Sequence, residues 1–197
     1  MPGVLIVDQI QNLAGTSSFD VANIGTAGSV LEYVSGPCDG SSVSVRSGTY
    51  TFQNVTAVQT LTATYADVNG SSISYTPPTG TTRVKYIFNW AYYWPSGTHC
   101  IAHYNFYIDS SEVVRARFNT SGYYPEGRTS FEWVIAIGGS ADANTGRQAV
   151  WTAAKTLKLQ ARFYGASNPV NIHGTRYWNG ADSAQFSMPV LTIIAIK

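Results

Sequence analysis

Gly36-Pro-Cys-Asp-Gly40 is the place in this 197-residue chain where a thiol has the spacing of a nucleophile elbow. An elbow exposes its nucleophile on a sharp turn between a strand and a helix. Here Ser41-Ser-Val-Ser-Val45 follows, which reads as strand, so Pro37 and the two glycines predict a tight turn and Cys38 a small buried thiol. Cys100 is the only other cysteine, and the two match no metal-ligand spacing. They are expected to be unrelated buried thiols, with pairing left open. His99 and His103 are four apart, which on a strand puts them on one face but about 13 Å from each other, too far to share a metal. His173 belongs to a distant segment. Glu112, Glu126 and Glu132 are the acids from which a glycosidase pair would be drawn. They fall beside a turn, in a loop and on the polar face of a strand, and read as solvated carboxylates. No catalytic residue, metal ligand or cofactor is predicted, and the chain is expected not to be an enzyme.

Three aromatic clusters fall in expected loops: Tyr92-Tyr-Trp-Pro95, Tyr123-Tyr-Pro125 and Arg176-Tyr-Trp-Asn-Gly180. Exposed Tyr and Trp rings stack on sugars or on partner proteins. Tyr93, Trp94, Tyr123, Tyr124, Tyr177 and Trp178 are therefore the candidate ligand-binding residues. The competing assignment is that they cap the ends of the fold. Asn54, Asn69 and Asn119 open Asn-X-Ser/Thr triplets, which a chain rich in Ser and Thr produces by chance.

The elements that must position these groups are strands. Charged residues make up 12% of the chain, half the usual share of about 25%. With a net charge of +1 and scattered Lys and Arg, no nucleic-acid footprint is present. A domain of this size buries roughly 70% of its unfolded surface and needs no disulfide or metal to fold. Even positions Val84, Tyr86, Phe88, Trp90 and Tyr92 are apolar or aromatic against Arg83, Lys85 and Asn89. The same period of two recurs in Ala102–Ile108, Val114–Phe118, Phe131–Ile137 and Leu157–Phe163. Weaker strands read at Val30–Val34, Val43–Arg46, Thr49–Phe52 and Ser71–Tyr75. The hairpin from Ala102 to Phe118 is expected to turn through three residues, Asp109-Ser-Ser111, so that Phe106 faces Val114 and Tyr104 faces Ala116. The only helical candidate is one turn within Arg147–Ala154. Turn signals at Gly36-Pro37, Asn69-Gly70, Pro77-Pro78, Pro95-Ser-Gly97, Gly138-Gly139 and Asn179-Gly180 separate the runs. The prediction is an all-β antiparallel sandwich or jelly roll of about 8–10 strands spanning residues 29–197.

Both ends of the chain depart from that pattern. Val4–Val7 is an isolated apolar run, followed by a polar stretch and a Gly/Ser/Thr/Ala-rich connection to about Ser29. The run falls short of the ~20 residues that cross a bilayer and lacks the flanks of a signal peptide, so no membrane insertion is expected. Residues 1–28 read as a docking arm and tether, with Val4, Leu5, Ile6, Val7, Ile10 and Leu13 as the docking residues. At the other end, Met188–Ile196 is apolar on both faces. Val190, Ile194 and Ile196 line one face, and Leu191, Ile193 and Ala195 the other. A central strand whose outer face meets another subunit explains this, so Val190, Leu191, Ile193, Ile194 and Ile196 are the predicted interface of a homotrimer.

Leu5-Ile-Val-Asp-Gln-Ile-Gln-Asn-Leu-Ala-Gly-Thr16 resembles the N-terminal segment of virion structural proteins of marine tailed phages. Ser72-Ile-Ser-Tyr-Thr-Pro-Pro-Thr-Gly80, Phe131-Glu-Trp133 and Gln185–Ile196 look like segments of the same group. The closing Phe186-Ser strand after a Gly-rich loop is similar to complement-type globular heads and tumour-necrosis-factor-like jelly rolls. The resemblance implies a trimer with its C-terminal strand near the threefold axis. It also implies a non-enzymatic virion protein, held to capsid or tail proteins by its arm and projecting a β-domain as a fibre, decoration or tail-fibre head, with host glycan as a possible ligand. The alternative function is a carbohydrate-binding module or lectin.

Overall fold

A computed structural model of the chain describes residues 9–11, 18–20, 27–94, 99–123, 126–165, 169–178 and 182–197. In chain order the strands are β1 (Gln9–Gln11), β2 (Ser18–Asp20), β3 (Val30–Pro37), β4 (Ser42–Val45), β5 (Gly48–Thr51), β6 (Gln59–Thr60), β7 (Ala66–Asp67), β8 (Ile73–Tyr75), β9 (Arg83–Tyr93), β10 (His99–Ile108), β11 (Ser111–Glu112), β12 (Phe118–Tyr123), β13 (Glu126–Ala136), β14 (Lys155–Phe163), β15 (Asn171–Ile172), β16 (Gly174–Trp178), β17 (Asp182–Phe186) and β18 (Val190–Ile196). The fold is all-β. Among the described residues the helical turn is 3₁₀, Val114–Ala116.

Two six-stranded antiparallel sheets share the core. Sheet I runs β3-β18-β9-β15-β6, with β13 also paired to β9. Sheet II runs β11-β10-β14-β7, with β12 also on β10 and β8 on β14. The pairs β1–β2, β4–β5 and β16–β17 are separate hairpins. The arrangement includes a curled half-barrel and is compatible with a β-sandwich. Period-two patterning explains it: Val84, Tyr86, Phe88 and Trp90 of β9, and Ala102, Tyr104, Phe106 and Ile108 of β10, are all buried. Their rings interlock across the sheets, with Tyr86 4.9 Å and Phe131 5.2 Å from Phe106, and Trp90 5.3 Å from Tyr104. Each such ring contributes roughly 1.5–3 kcal/mol by leaving water.

The hairpin register corrects the three-residue loop. Asp109 takes a left-handed conformation (φ 56°), so a two-residue Asp109-Ser110 loop suffices, with Ile108 opposite Ser111 and Tyr107 opposite Glu112. Continued in that register, Tyr104 would face Arg115 and Ala102 would face Arg117. The 3₁₀ turn removes three residues from the strand instead, and pairing resumes with Tyr104 opposite Phe118. Their rings stack at 4.6 Å. The helical turn expected within Arg147–Ala154 is also absent. Arg147 and Gln148 make β-bridges to Asp142 and Ile137, which occupy the backbone groups that a helix would need.

β18 lies inside sheet I, between β3 and β9, as the two-faced apolar pattern requires. In the N-terminal segment β1 pairs with β2, Ile10 standing opposite Phe19. The other docking candidates, Val4, Leu5, Ile6, Val7 and Leu13, lie outside the described residues.

Candidate functional site

The outer face of sheet I is assembled by register. Ile194 of β18 pairs with Tyr33 on one side and Lys85 on the other, and Lys85 pairs with Val134 of β13. Ile196 pairs with Val30, and Thr192 with Ser35 and Ile87. Paired residues share a face, so Val30, Tyr33, Ile87, Val134, Ile194 and Ile196 form one apolar surface. Val30 is 59% exposed, Tyr33 57% and Val134 46%. Two pairs of polar groups among them satisfy each other, and Arg83, opposite Ile196, is exposed. Ser35 Oγ and Thr192 Oγ1 are 2.7 Å apart, and Lys85 forms an ion pair with Glu132. Those four groups can be covered without being stranded, which is the condition for burying them cheaply.

The interface candidates divide accordingly. Val190, Ile194 and Ile196 face outward and are half-buried, while Leu191 and Ile193 are fully buried in the chain's own core. That corrects the inclusion of Leu191 and Ile193: a side chain already enclosed by its own subunit has no surface to offer another.

The loop aromatics are corrected too. Tyr93 ends β9 and Trp94 follows it, and both are buried (7% and 1% exposed). Trp94 packs edge-on against Tyr92 at 5.7 Å. They close the core rather than meet a ligand. Tyr123, Tyr177 and Trp178 end strands β12 and β16, but their side chains, and the whole of Tyr124, lie outside the described residues. Register brings these segments to one end of the molecule: Tyr93 is opposite Glu126, and Tyr123 is opposite His99.

At the opposite end, where residue 28 enters, a cleft of about 560 Å³ opens between the β4–β5 turn, the Thr76–Thr81 loop and the Ala149–Thr152 loop. Its wall is fixed by a buried carboxylate. Glu32, 5% exposed, lies one period of two before buried Val34 on the inward side of β3. It accepts hydrogen bonds from Ser47 N (2.8 Å), Ser47 Oγ (2.6 Å) and Tyr75 Oη (2.8 Å). Tyr50 Oη is 2.6 Å from Ser47 Oγ and 2.9 Å from the Thr76 carbonyl. Burial, together with the Glu32 hydrogen bond and charge, pushes the Tyr75 phenol well above its ordinary range. Sequence patterning missed this centre. Its signal is a lone acid at an inward parity of the weak strand Val30–Val34.

The remaining chemistry-bearing residues stay apart. Cys38 and Cys100 are buried and not joined in a disulfide, and burial, with the Asp39 charge, pushes the Cys38 thiol up to about 12. Glu112 is tied to Arg117 in a bidentate pair (2.6 and 2.9 Å), Glu132 to Lys85, and Glu126 is exposed at the start of β13. His103 lies on the outer face of sheet II, its ring 6.0 Å from that of Tyr164. His173 is fully buried, and the side chain of His99 lies outside the described residues. No group of three or more His, Cys, Asp or Glu able to hold a metal occurs among the described residues. No described helix is long and apolar enough to cross a membrane. Compared with known proteins, the chain matches no family model, and no curated protein matches it in sequence.

Proposed function

We propose that the chain is a non-enzymatic, self-associating β-domain of a phage virion, a jelly-roll head borne on an N-terminal arm. The observation that carries the self-association is the outer face of sheet I. It gathers Val30, Tyr33, Ile87, Val134, Ile194 and Ile196 on one face, where Ser35 is paired with Thr192 and Lys85 with Glu132, and Arg83 stands at the edge opposite Ile196. Each further copy presents the same mainly apolar surface, which neighbouring copies can remove from water. The resemblance of the N-terminal and C-terminal segments to phage virion proteins supports the setting. The likeness to complement-type heads supports three copies, with residues 1–28 engaging capsid or tail proteins. Light scattering of the purified full chain is expected to give a trimer mass at micromolar concentration. Antibody to the chain is expected to label intact particles. A monomer at 100 μM would remove the self-association, and unlabelled particles would remove the virion setting.

A further inference from the structure

We infer that β13 of one copy and β3 of the next join in an antiparallel ladder, so that neighbouring copies share one continuous sheet. The inference rests on the self-association proposed above and names the contact that closes it. β3 and β13 are the outer strands of the run β3-β18-β9-β13 in sheet I. Along a strand, backbone groups point to the two edges in alternation. The Ile137 amide donates to the Thr82 carbonyl on the β9 side, while the Ala136 carbonyl accepts from Gln148 on the other side. Ser130, Glu132 and Val134, in step with Ala136, therefore turn their N–H and C=O away from β9. The Cys38 amide donates to the Pro189 carbonyl, toward β18. Tyr33, Ser35 and Pro37, out of step with Cys38, turn their backbone groups away from β18. No described backbone group pairs with either row. An open edge of this length is a template for another strand.

A second copy fits both edges at once. Three antiparallel steps separate β3 from β13, so the two strands run in opposite senses. Rotation about an axis along the strands keeps those senses and brings β13 antiparallel to β3 of the next copy. Such a contact is head-to-tail, and it closes into a ring. Within one chain Tyr33, Ile194, Lys85 and Val134 form one row across the sheet, and Ser35, Thr192, Ile87 and Glu132 the row beside it. Carried across the junction, these rows set Tyr33 opposite Val134, Ser35 opposite Glu132 and Pro37 opposite Ser130. The outward backbone groups then meet, and only the missing Pro37 N–H leaves a rung half-made. The exposed side chains agree. On this face the most exposed large apolar residues are Val30, Tyr33 and Val134, all on the two edge strands, whereas Ile87, Ile194 and Ile196 of the inner strands are half-buried. Tyr33 against Val134 is an aromatic, β-branched pair of the kind that stabilises neighbouring strands. A twofold pairing of β13 with itself would leave β3 open and Tyr33 uncovered.

The test is oxidation of the full-length chain carrying Tyr33→Cys and Val134→Cys together. Within one chain the two positions are separated by three strand spacings, about 14 Å, which no disulfide spans. A bond between them must therefore join two copies. Both sites are exposed, so the substitutions leave the core intact, and Cys38 and Cys100 are buried. The double variant is expected to give covalent dimers and trimers, and each single variant monomers alone. Amide exchange gives a second readout on the unmodified chain. The Glu132 and Val134 amides are expected to exchange roughly 100-fold more slowly in the assembly than after dilution to monomer. Those of Phe131 and Trp133, which point to β9, are expected to stay protected in both. Glu132→Pro removes an outward N–H that β9 does not use, and is expected to weaken association roughly 30-fold relative to Glu132→Ala. A trimer on light scattering whose double variant fails to cross-link overturns the ladder and leaves self-association standing. A monomer removes both. Cross-linking of Val134→Cys alone would replace β3 by a second β13 and overturn the head-to-tail pairing. Glu132 and Val134 amides that stay protected in the monomer would overturn it too, by giving the edge to the chain's own N-terminal segment.

Discussion

The two outer faces of this molecule follow the same alternation and carry opposite chemistry. On sheet I the outward positions include Tyr33, Ile87, Val134, Ile194 and Ile196, with Lys85, Glu132 and Arg83 among them. On sheet II the register sets His103 beside Asn119 and Arg162, Asn105 beside Gln160, and Tyr107 beside Lys158 and Glu112. Asp67 there takes hydrogen bonds from Lys158 at 2.9 Å and Gln160 at 2.8 Å, and Arg162 lies 5.4 Å above the Tyr65 ring. Backbone pairing is the same in both, so stability does not demand the difference. An outer face costs nothing in water when polar, whereas an apolar one is a liability unless something covers it. On the proposal of self-association, the faces have different fates: sheet II goes to solvent, sheet I to another subunit.

The sharpest way to break the comparison is within β18, whose alternate residues address the two environments. Leu191→Ala is expected to cost roughly 2–5 kcal/mol of folding stability through a core cavity, visible in denaturant unfolding at any protein concentration. Its outward counterpart, Ile194→Asp, is expected to leave the monomer fold within about 1 kcal/mol. It should weaken association roughly 30-fold or more, as removal of a central interface anchor does. A trimer that persists in Ile194→Asp on light scattering would mean that sheet I's outer face is not the contact.

The histidines extend the comparison. Burial pushes the His173 imidazole down to about 4. His103 is lowered by partial burial and by the Arg162 charge. An unfolded histidine takes up its proton near 6.5, whereas folded His173 does not until about 4. The stability it contributes is therefore complete above pH 6.5 and is lost as pH falls toward 4, by about 3 kcal/mol in all. His173→Gln is expected to flatten that slope in pH-dependent melts, and His103→Gln to leave most of it. An unchanged slope in His173→Gln would place the acid sensitivity elsewhere.

The smallest effect is expected on the polar face. Partial burial disfavours the ionised Asp67, but the Lys158 and Gln160 hydrogen bonds outweigh it and hold its carboxyl below the usual range. Such exposed pairs are worth about 0–1 kcal/mol. Lys158→Ala should therefore move the midpoint of unfolding little, and less still at high salt. A loss well above 1 kcal/mol would show that sheet II's outer face is not merely solvated.

Much of this contrast was legible in the residues. The alternation of β9, β10 and β14 named the core, and the double apolar face of β18 named a central strand. What escaped were features that depend on partners distant in sequence. The segments of β16 and β17 have no period of two, so only their hairpin turn at Asn179-Gly180 was visible. Val114 and Ala116 pointed to continuous pairing with β10 through a three-residue loop, whereas the two-residue loop, continued in register, would set Arg115 against Tyr104. The remedy, a 3₁₀ turn that brings Phe118 onto Tyr104, depends on a ring contact that no local pattern encodes. Glu32 escaped because its donors, Ser47 and Tyr75, are 15 and 43 residues away.

The Gly28 amide donates to the Lys197 carbonyl at 2.6 Å, and the Lys197 amide to the Ser29 carbonyl at 2.9 Å. From that corner β3 runs the length of sheet I against β18, antiparallel from Val30 at Ile196 to Pro37 at Val190. A force entering through residue 28 and resisted at the far end would act along β3, loading its rungs in shear so that all must fail together. The same force applied between residues 28 and 197 would open the ladder like a zip, one rung at a time. Single-molecule pulling between residues 28 and 165 should accordingly need more force than pulling between 28 and 197. Similar forces in the two geometries would show that the β3–β18 ladder is not the clamp. A domain tethered by its N-terminal side would then be strong in the direction in which a tether pulls.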